Sequence, residues 1–296
     1  MVRSRQLYLL LLLPITYLII FKYVPMYGIQ IAFRKYSPVK GILGSEWIGL
    51  HYFIRFFESN EFSRILWNTV SLSLYQLLIT FPMPIILALG LNYIRVTFLK
   101  KTVQMVTYAP HFISTVVMIG IIMQFLNPRI GMVNNITGLF GIDPIHFMAQ
   151  VSWFQSLFVW SDVWQNTGFA CIIYLAALAS VDPSLHEAAV VDGASKLRRI
   201  WHVDLPSIVP IAVILLILNM GNMLEIGYEK VLLMQNPLNL QKSEVIDTYV
   251  YKVGLASQSV NFSYGAAIGL FKNIVSLFLL LAVNRLARKL NQSSLW

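Results

Sequence analysis

The sequence has little charge, a single cysteine and none of the motifs that hold a nucleotide phosphate or a catalytic metal. Only 12% of its 296 residues are Asp, Glu, Lys or Arg, about half the share usual in soluble domains. A chain so poor in charge does not coat a water-soluble globule. Cys171 sits inside an apolar run, which excludes an internal disulfide and a cysteine metal cluster and says nothing about redox compartment. No Gly-x-x-x-x-Gly-Lys-[Ser/Thr] motif occurs, nor any Gly-Lys pair, so no loop cradles nucleotide phosphates in that way. His186-Glu187-Ala188-Ala189 opens like the zinc motif His-Glu-x-x-His, but Val190 stands in the closing position. Five scattered histidines and no serine elbow leave no catalytic constellation. Repeats and low-complexity tracts are missing too, which makes one domain over residues 1–296 the simple reading.

What is present is hydrophobic sequence. Apolar residues make up 57% of the chain, and the mean hydropathy is +0.67. A spanning helix needs about 20 mostly apolar residues. Six runs satisfy this, at about 7–33, 66–94, 103–126, 152–180, 205–226 and 264–284. The chain therefore reads as an all-α polytopic protein of the lipid bilayer with six transmembrane helices. Several runs exceed the bilayer thickness, which predicts tilt or interfacial extension, and Pro14, Pro25, Pro82, Pro84 and Pro110 predict kinks. The first run mimics a signal peptide, but it continues past Lys22 to Phe33 with no small-residue cleavage site, which predicts a retained helix.

The net charge of +9 does not point to nucleic acid, because the basic residues lie between apolar runs and not on one polar face. They read as helix flanks. The two sides carry nearly equal numbers, but those on one side, such as Arg95, Lys100, Lys101, Arg285, Arg288 and Lys289, sit in shorter segments close to helix ends. That density predicts cytoplasmic N- and C-termini. Two long loops, 34–64 and 230–263, then face outward. The first holds a helical patch around Tyr52-Phe53 and Phe56-Phe57. The second turns at Asn236-Pro237 and offers a short helix over Ser243 to Val253.

One polar, charge-bearing stretch stands between apolar runs in the C-terminal half, Glu187 to Pro210, EAAVVDGASKLRRIWHVDLPSIVP; the loop it belongs to spans residues 182–206. Asp182 and Pro183 suit a helix start, and Ser184 with Glu187 has capping-box spacing. A helix over Leu185 to Val191 then meets Asp192-Gly193, where glycine allows a turn. A second, basic helix over about Ala194 to His202 leads to Leu205-Pro206. Ala188 and Ala189 leave one side of the first helix smooth, as docking into a cleft on another protein requires; an ordinary amphipathic interfacial helix is the alternative.

Glu187-Ala188-Ala189, Asp192-Gly193-Ala194, Leu205-Pro206 and Pro210 closely resemble the EAA loop of binding-protein-dependent ABC importer permeases, with matching spacing throughout. Asp204 departs from that pattern, where an uncharged residue is usual, and leaves open how the second helix enters the membrane. Phe21 to Gly28, Asn68-Thr69, Pro84 to Leu89, Asn236-Pro237 and Asn261 to Gly269 extend the resemblance over nearly the whole chain. It is to the maltose-type branch, and most of all to permeases that import oligosaccharides cut from larger polymers, alginate and pectin fragments among them. Such subunits often have a longer N-terminal extension than this chain.

The resemblance implies a type I ABC importer fold in the inner membrane, with residues 182–206 forming a cytoplasmic coupling helix. It further implies a second permease subunit, two ATPase subunits and an extracytoplasmic solute-binding protein. ATP and Mg would be held by those ATPase subunits, with no cofactor on this chain. Glu187 would supply charge to the docking surface, Gly193 the turn, and Ala188 and Ala189 clearance.

Polar residues inside apolar runs are candidates for the translocation path, since lipid exposure of such groups is costly. They are Lys22; Asp162 and the nearby Gln165 and Asn166; Asn219, Asn222 and Glu225, spaced to share one face of the fifth helix; and Lys272 with Asn273. Hydrogen bonding between helices is the competing role. Trp153, Trp160 and Trp164 form one stripe. Trp153 fits an interfacial belt, while Trp160 and Trp164 suit either that belt or a platform for sugar rings. Lys22, Arg34, Lys35 and Lys272 on the outer side favour an acidic saccharide such as alginate, with neutral oligosaccharides the alternative. An ion-coupled secondary transporter would need its own coupling-ion site and usually inverted repeats, and a membrane enzyme a catalytic cluster. Neither is visible.

Overall fold

A computed structural model describes residues 5–289, with side chains from Tyr8 onward. Among the described residues, four helical stretches are long and apolar enough to cross a bilayer: Tyr8–Phe33, Phe62–Asn92, Lys196–Gly221 and Phe262–Lys289. Two further pairs reach that length only when taken together. Thr97–Phe112 with Thr115–Phe125 bends by 105°, and Phe154–Ala179 with Pro183–Val191 by 73°. The six apolar runs of the sequence correspond to these six features.

The bends have local causes. The first span opens with α1 (Arg5–Leu18) and passes through a π-helical turn, Ile19–Tyr23. That wider turn lies directly before Pro25, whose ring would otherwise meet the carbonyl four residues back. After Phe33 a short antiparallel ladder, β1 (Arg34–Ser37) with β2 (Ser45–Trp47), pairs Arg34 with Trp47 and Lys35 with Glu46. This hairpin is a small exception to the all-helical expectation. It is followed by α2 (His51–Phe57), where the aromatic patch predicts it. The second span breaks at Phe81 between α3 (Phe62–Thr80) and α4 (Pro82–Asn92). The third breaks at Ser114, which caps the second half by accepting from Val117 N–H, between α5 (Thr97–Tyr108) and α6 (Thr115–Phe125). Next come α7 (Phe154–Ala179) and α8 (Pro183–Val191), then α9 (Lys196–Arg199) and α10 (Leu205–Gly221). The chain continues through α11 (Tyr228–Met234), α12 (Ile246–Tyr251) and α13 (Phe262–Lys289).

The described residues form two compact units. One comprises the chain up to Ser63 with Tyr249–Ile274. It is held by aromatic packing: Phe56 is 1% exposed and its ring lies 5.1 to 6.4 Å from those of Phe62, Tyr249, Tyr264 and Phe271. Arg34 donates to the carbonyls of Leu43 and Ser45 and stacks on Trp47, closing the hairpin. Ser263 at the start of α13 accepts from the Tyr36 N–H.

The other unit comprises Arg64–Thr248 with the last helix from Val275, and α7 is its spine. The buried positions of α7 include Phe154, Phe158, Ser161, Gln165, Gly168, Cys171, Tyr174 and Leu178, a helical stripe that puts small and polar residues inward, as membrane bundles do. At one end Phe154, Phe158 and Val159 pack with Leu72, Met118, Ile119 and Val231; at the other, Cys171, Tyr174 and Leu178 pack with Ala88, Leu91 and Ile208. Gly168 lets α5 approach closely, since a Cβ there would stand 2.0 Å from the Thr107 carbonyl oxygen.

Candidate functional site

The segment 182–206 folds as a capped helix set off from the membrane helix before it. Asp182 takes the N-cap: its Oδ1 accepts from the Ser184 N–H at 2.9 Å, which holds its carboxyl below the usual carboxylate range. Asp182 rather than Ser184 therefore caps, because Pro183 already fits the first helical position and moves the start of α8 forward. At the other end Gly193 has φ +71. Its N–H donates to Val190 O at 3.0 Å, and the Ala194 N–H donates to Ala189 O at 2.8 Å. This is a Schellman closure, and the left-handed residue it needs is the glycine. The expected turn at Asp192-Gly193 is therefore present.

The second basic helix is not a separate element. Ser195 caps α9, and the chain runs through a π-helical turn, Ile200–Asp204, straight into α10. As before Pro25, the wider turn precedes a proline, Pro206, and makes room for its ring. That is how the segment enters the membrane.

Around the loop Glu187, Ala188, Asp192 and Gly193 are exposed, and Ala189, Ala194 and Leu205 are partly so. Large apolar side chains join them: Leu185, Val190, Val191, Leu197 and Trp201 are each more than half exposed. These five are surface residues that the motif does not include. Their signal in the sequence is hydrophobic residues placed in an otherwise charged segment. His186 holds no metal-motif partner; its Nε2 stands 3.3 Å from Asp204 Oδ1. Asp204 is fully buried and accepts from the Tyr93 hydroxyl at 2.7 Å. Burial, with Asp204 alongside, pushes that phenol up to about 12. The Arg199 guanidinium lies over the Tyr93 ring, 5.7 Å from its centre.

Two polar cavities lie in the unit built on α7. One, of about 160 Å³, is lined by Ser73, Gln76, Thr80, Asn219, Asn222 and Glu225 among others. The second, of about 270 Å³, includes Thr80, Asp162, Asn166, Thr167 and Asn219. Thr80 and Asn219 belong to both. The three residues expected on one face of the fifth helix thus do meet, but not as one helical stripe. α10 ends at Gly221 with Asn222 as its C-cap, and the Glu225 N–H donates to Asn222 O across the following turn. Ser73, Gln76 and Thr80 complete the first lining from α3; their i, i+3, i+7 spacing was readable as a polar stripe.

Asp162 accepts from Asn166 at 2.8 Å and from Gln76 at 3.5 Å, with Lys230 Nζ at 3.7 Å. Lys230, placed by its sequence in an outer loop, is buried in α11. It donates to Phe158 O at 2.9 Å and lies 4.5 Å from the Phe158 ring centre. Burial draws its ammonium down to about 8, against the pull of Asp162. His111 Nδ1 meets Asn166 Oδ1 at 2.9 Å, which extends the network to the break between α5 and α6. Gln165 points elsewhere and donates to Ile113 O, the inter-helix role.

Trp160 and Trp164 face a third, apolar cavity of about 490 Å³, together with Trp153 and Leu157. They do not line the polar pair. Lys22 is exposed in the first span, and Lys272 is buried beside an exposed Asn273 in α13. These three belong to the other unit and line none of these cavities.

With this geometry in view, comparison with known proteins is decisive. Residues 62–292 match the family described as binding-protein-dependent transport system inner membrane component. The chain belongs to that family. It is 44% identical over 296 residues, all of this chain and 92% of its relative, to the polygalacturonan/rhamnogalacturonan transport system permease protein YteP of Bacillus subtilis (strain 168). Two crystal structures are similar in fold. One is of a bacterial ABC transporter involved in the import of the acidic polysaccharide alginate, with 39% identity, TM-score 0.89, and coverage of 97% of this chain and 96% of that one. The other is of a bacterial alginate ABC transporter in complex with alginate pentasaccharide-bound periplasmic protein, with 38% identity, TM-score 0.90, and coverage of 99% and 97%. This permease is a multi-pass membrane subunit of an ABC importer with the type I fold, and not an enzyme.

Proposed function

We propose that this permease carries oligosaccharides released from an acidic polysaccharide, and that its 182–206 loop couples the transport path to a partner ATPase. The observation that carries the coupling reading is the shape of that loop. α8 turns 73° away from α7, is fixed at both ends by its cap and Schellman closure, and presents Glu187 amid exposed apolar side chains. A rigid, partly apolar knob suits a groove on another protein. The working complex would comprise this subunit, a second permease subunit, two ATPase subunits holding ATP and Mg, and an extracytoplasmic binding protein, with both termini of this chain in the cytoplasm. Closure of the ATPase pair would move α8 and switch the bundle between inward- and outward-facing states.

The polar cavities are the part of the path this chain supplies. Their amide, hydroxyl and carboxylate lining suits a hydroxyl-rich solute, with Asn219 and Thr80 at the junction of the two. The names of the similar proteins support an acidic sugar chain, alginate being the lead. Lys22, Arg34, Lys35 and Lys272 would favour it, whereas Asp162 and Glu225 would favour neutral sugars. Uptake of labelled alginate oligomers and of neutral oligosaccharides by proteoliposomes of the whole complex separates the two. Uptake of neutral oligosaccharides alone would overturn the acidic reading.

A further inference from the structure

Asp204 is the residue at which the loop departs from the family pattern, and His186 is the histidine left over from the incomplete zinc motif. The fold brings them together. The π-helical turn Ile200–Asp204 closes with the Leu205 N–H on Ile200 O. Asp204 is the last residue of that turn, and its side chain is fully buried. Tyr93, just past the end of α4, donates to Oδ2. His186, on the inner side of α8 and 27% exposed, stands at Oδ1. The two nitrogen and oxygen atoms are at ion-pair distance but too far off axis for a hydrogen bond, which leaves Oδ1 without an aligned donor. The Arg199 guanidinium lies over the Tyr93 ring, with its Nε buried and without a hydrogen bond. A buried carboxylate persists only with partners that compensate it. Here those partners come from two other segments, the end of α4 and α8, while Asp204 itself stands in the turn leading into α10.

We propose that Asp204 is a positioning residue for coupling, which clasps α8 through His186 and α4 through Tyr93 so that α8 moves together with the helices it serves. This rests on the coupling reading of residues 182–206. His186 is the neighbour of Glu187 in sequence but lies on the other side of the helix: Glu187 faces out, and His186 faces the clasp. α8 otherwise hangs on its caps, since none of its residues is buried. Displacement of its outer face would then reach the membrane helices chiefly through this contact.

The experiment uses the complete reconstituted complex, with binding protein and alginate oligomers as the stimulating probe. Stimulated and basal ATPase rates are measured for Asp204→Asn, His186→Gln, the double variant and Tyr93→Phe, each after checking that the ATPase subunits co-purify. The clasp predicts that the ratio of stimulated to basal rate falls at least about fivefold in each single variant, and that the double variant is no worse than the more severe single one. A residue that only supports folding would lower assembly and leave that ratio unchanged in what assembles. If Asp204→Asn fails to fold, His186→Gln and Tyr93→Phe decide alone. Ratios like the wild type, or additive losses in the double variant, overturn the proposal. Gly193→Asp run in parallel separates the two readings. If it uncouples while the clasp variants do not, the clasp is wrong and the coupling loop stands. If Gly193→Asp itself couples normally, the coupling reading fails.

Discussion

Replacing Gly168 by alanine tests the packing that holds the polar cavities in shape. A Cβ at this position would stand 2.0 Å from the Thr107 carbonyl oxygen and 2.4 Å from its carbon. Both are backbone atoms, so no rotamer change relieves the overlap. α5 and α7 must separate by about 1 Å to restore van der Waals contact. Overpacking of this kind costs typically about 1–3 kcal/mol, offset by up to about 1 kcal/mol from the better helix propensity of alanine. With rigid backbone on both sides, the expected net loss is about 2 kcal/mol. Two internal controls bracket it. At Gly221 the added carbon would meet Leu280 Cδ1 at 2.4 Å, the end of a side chain that can turn away, so the loss should be below about 1 kcal/mol. At Gly120 nothing lies within 4 Å, so alanine should be neutral or stabilising. Cys171 is the sole cysteine and fully buried, so a thiol-reactive dye reports unfolding on heating in detergent. The expected order of midpoints is Gly120→Ala, then Gly221→Ala, then Gly168→Ala, the last lower than wild type by several degrees. A Gly168→Ala midpoint equal to that of Gly120→Ala would refute the close approach of α5 and α7.

Further outcomes follow from the same geometry. Gly193 has φ +71 with open space around it, so Gly193→Asn should couple normally because Asn tolerates the left-handed region; Gly193→Asp should insert in the membrane yet abolish transport and ATPase stimulation. Comparing the two by uptake separates backbone strain from charge at the docking face, and equal behaviour would contradict this reading. Glu225→Gln should lower uptake, because Glu225 lines a polar cavity, and unchanged rates of labelled saccharide entry would remove it from the path. Lys230 binds its proton less tightly when folded, at about 8, than an unfolded lysine near 10.5. Between those values the unfolded chain binds more protons, so stability rises with pH there, and the penalty is fully present below about pH 8. The melting midpoint of wild type should therefore gain on that of Lys230→Met between about pH 7.5 and 9.5, and parallel curves would count against a buried ammonium.

The spans and the loop were legible in the sequence because each is written locally. Long apolar runs need only their own length, and the turn at Gly193 needs only a glycine after a short helix. What escaped depends on register and on distant partners. The π-helical turn before Pro206 moves every later side chain of α10 round the helix, and no local pattern announces it. Glu225 reaches the same cavity as Asn219 only because α10 stops at Gly221 and the chain turns. Lys230 looked like a loop cation, since nothing near it in sequence reveals Phe158 and Asp162. His186 and Asp204 each stand out in the sequence, one as the start of an incomplete zinc motif and the other as a departure from a pattern. Their pairing needed the fold. The stripe of Ser73, Gln76 and Thr80, by contrast, is written locally in its i, i+3, i+7 spacing.

The most direct test of the account is the vanadate-sensitive ATPase activity of the reconstituted complex, measured with binding protein and alginate oligomers, and again with this chain carrying Gly193→Asp. Stimulation is expected to require both binding protein and saccharide, and to disappear in the variant although the ATPase subunits remain bound. Full stimulation in the Gly193→Asp complex would contradict it.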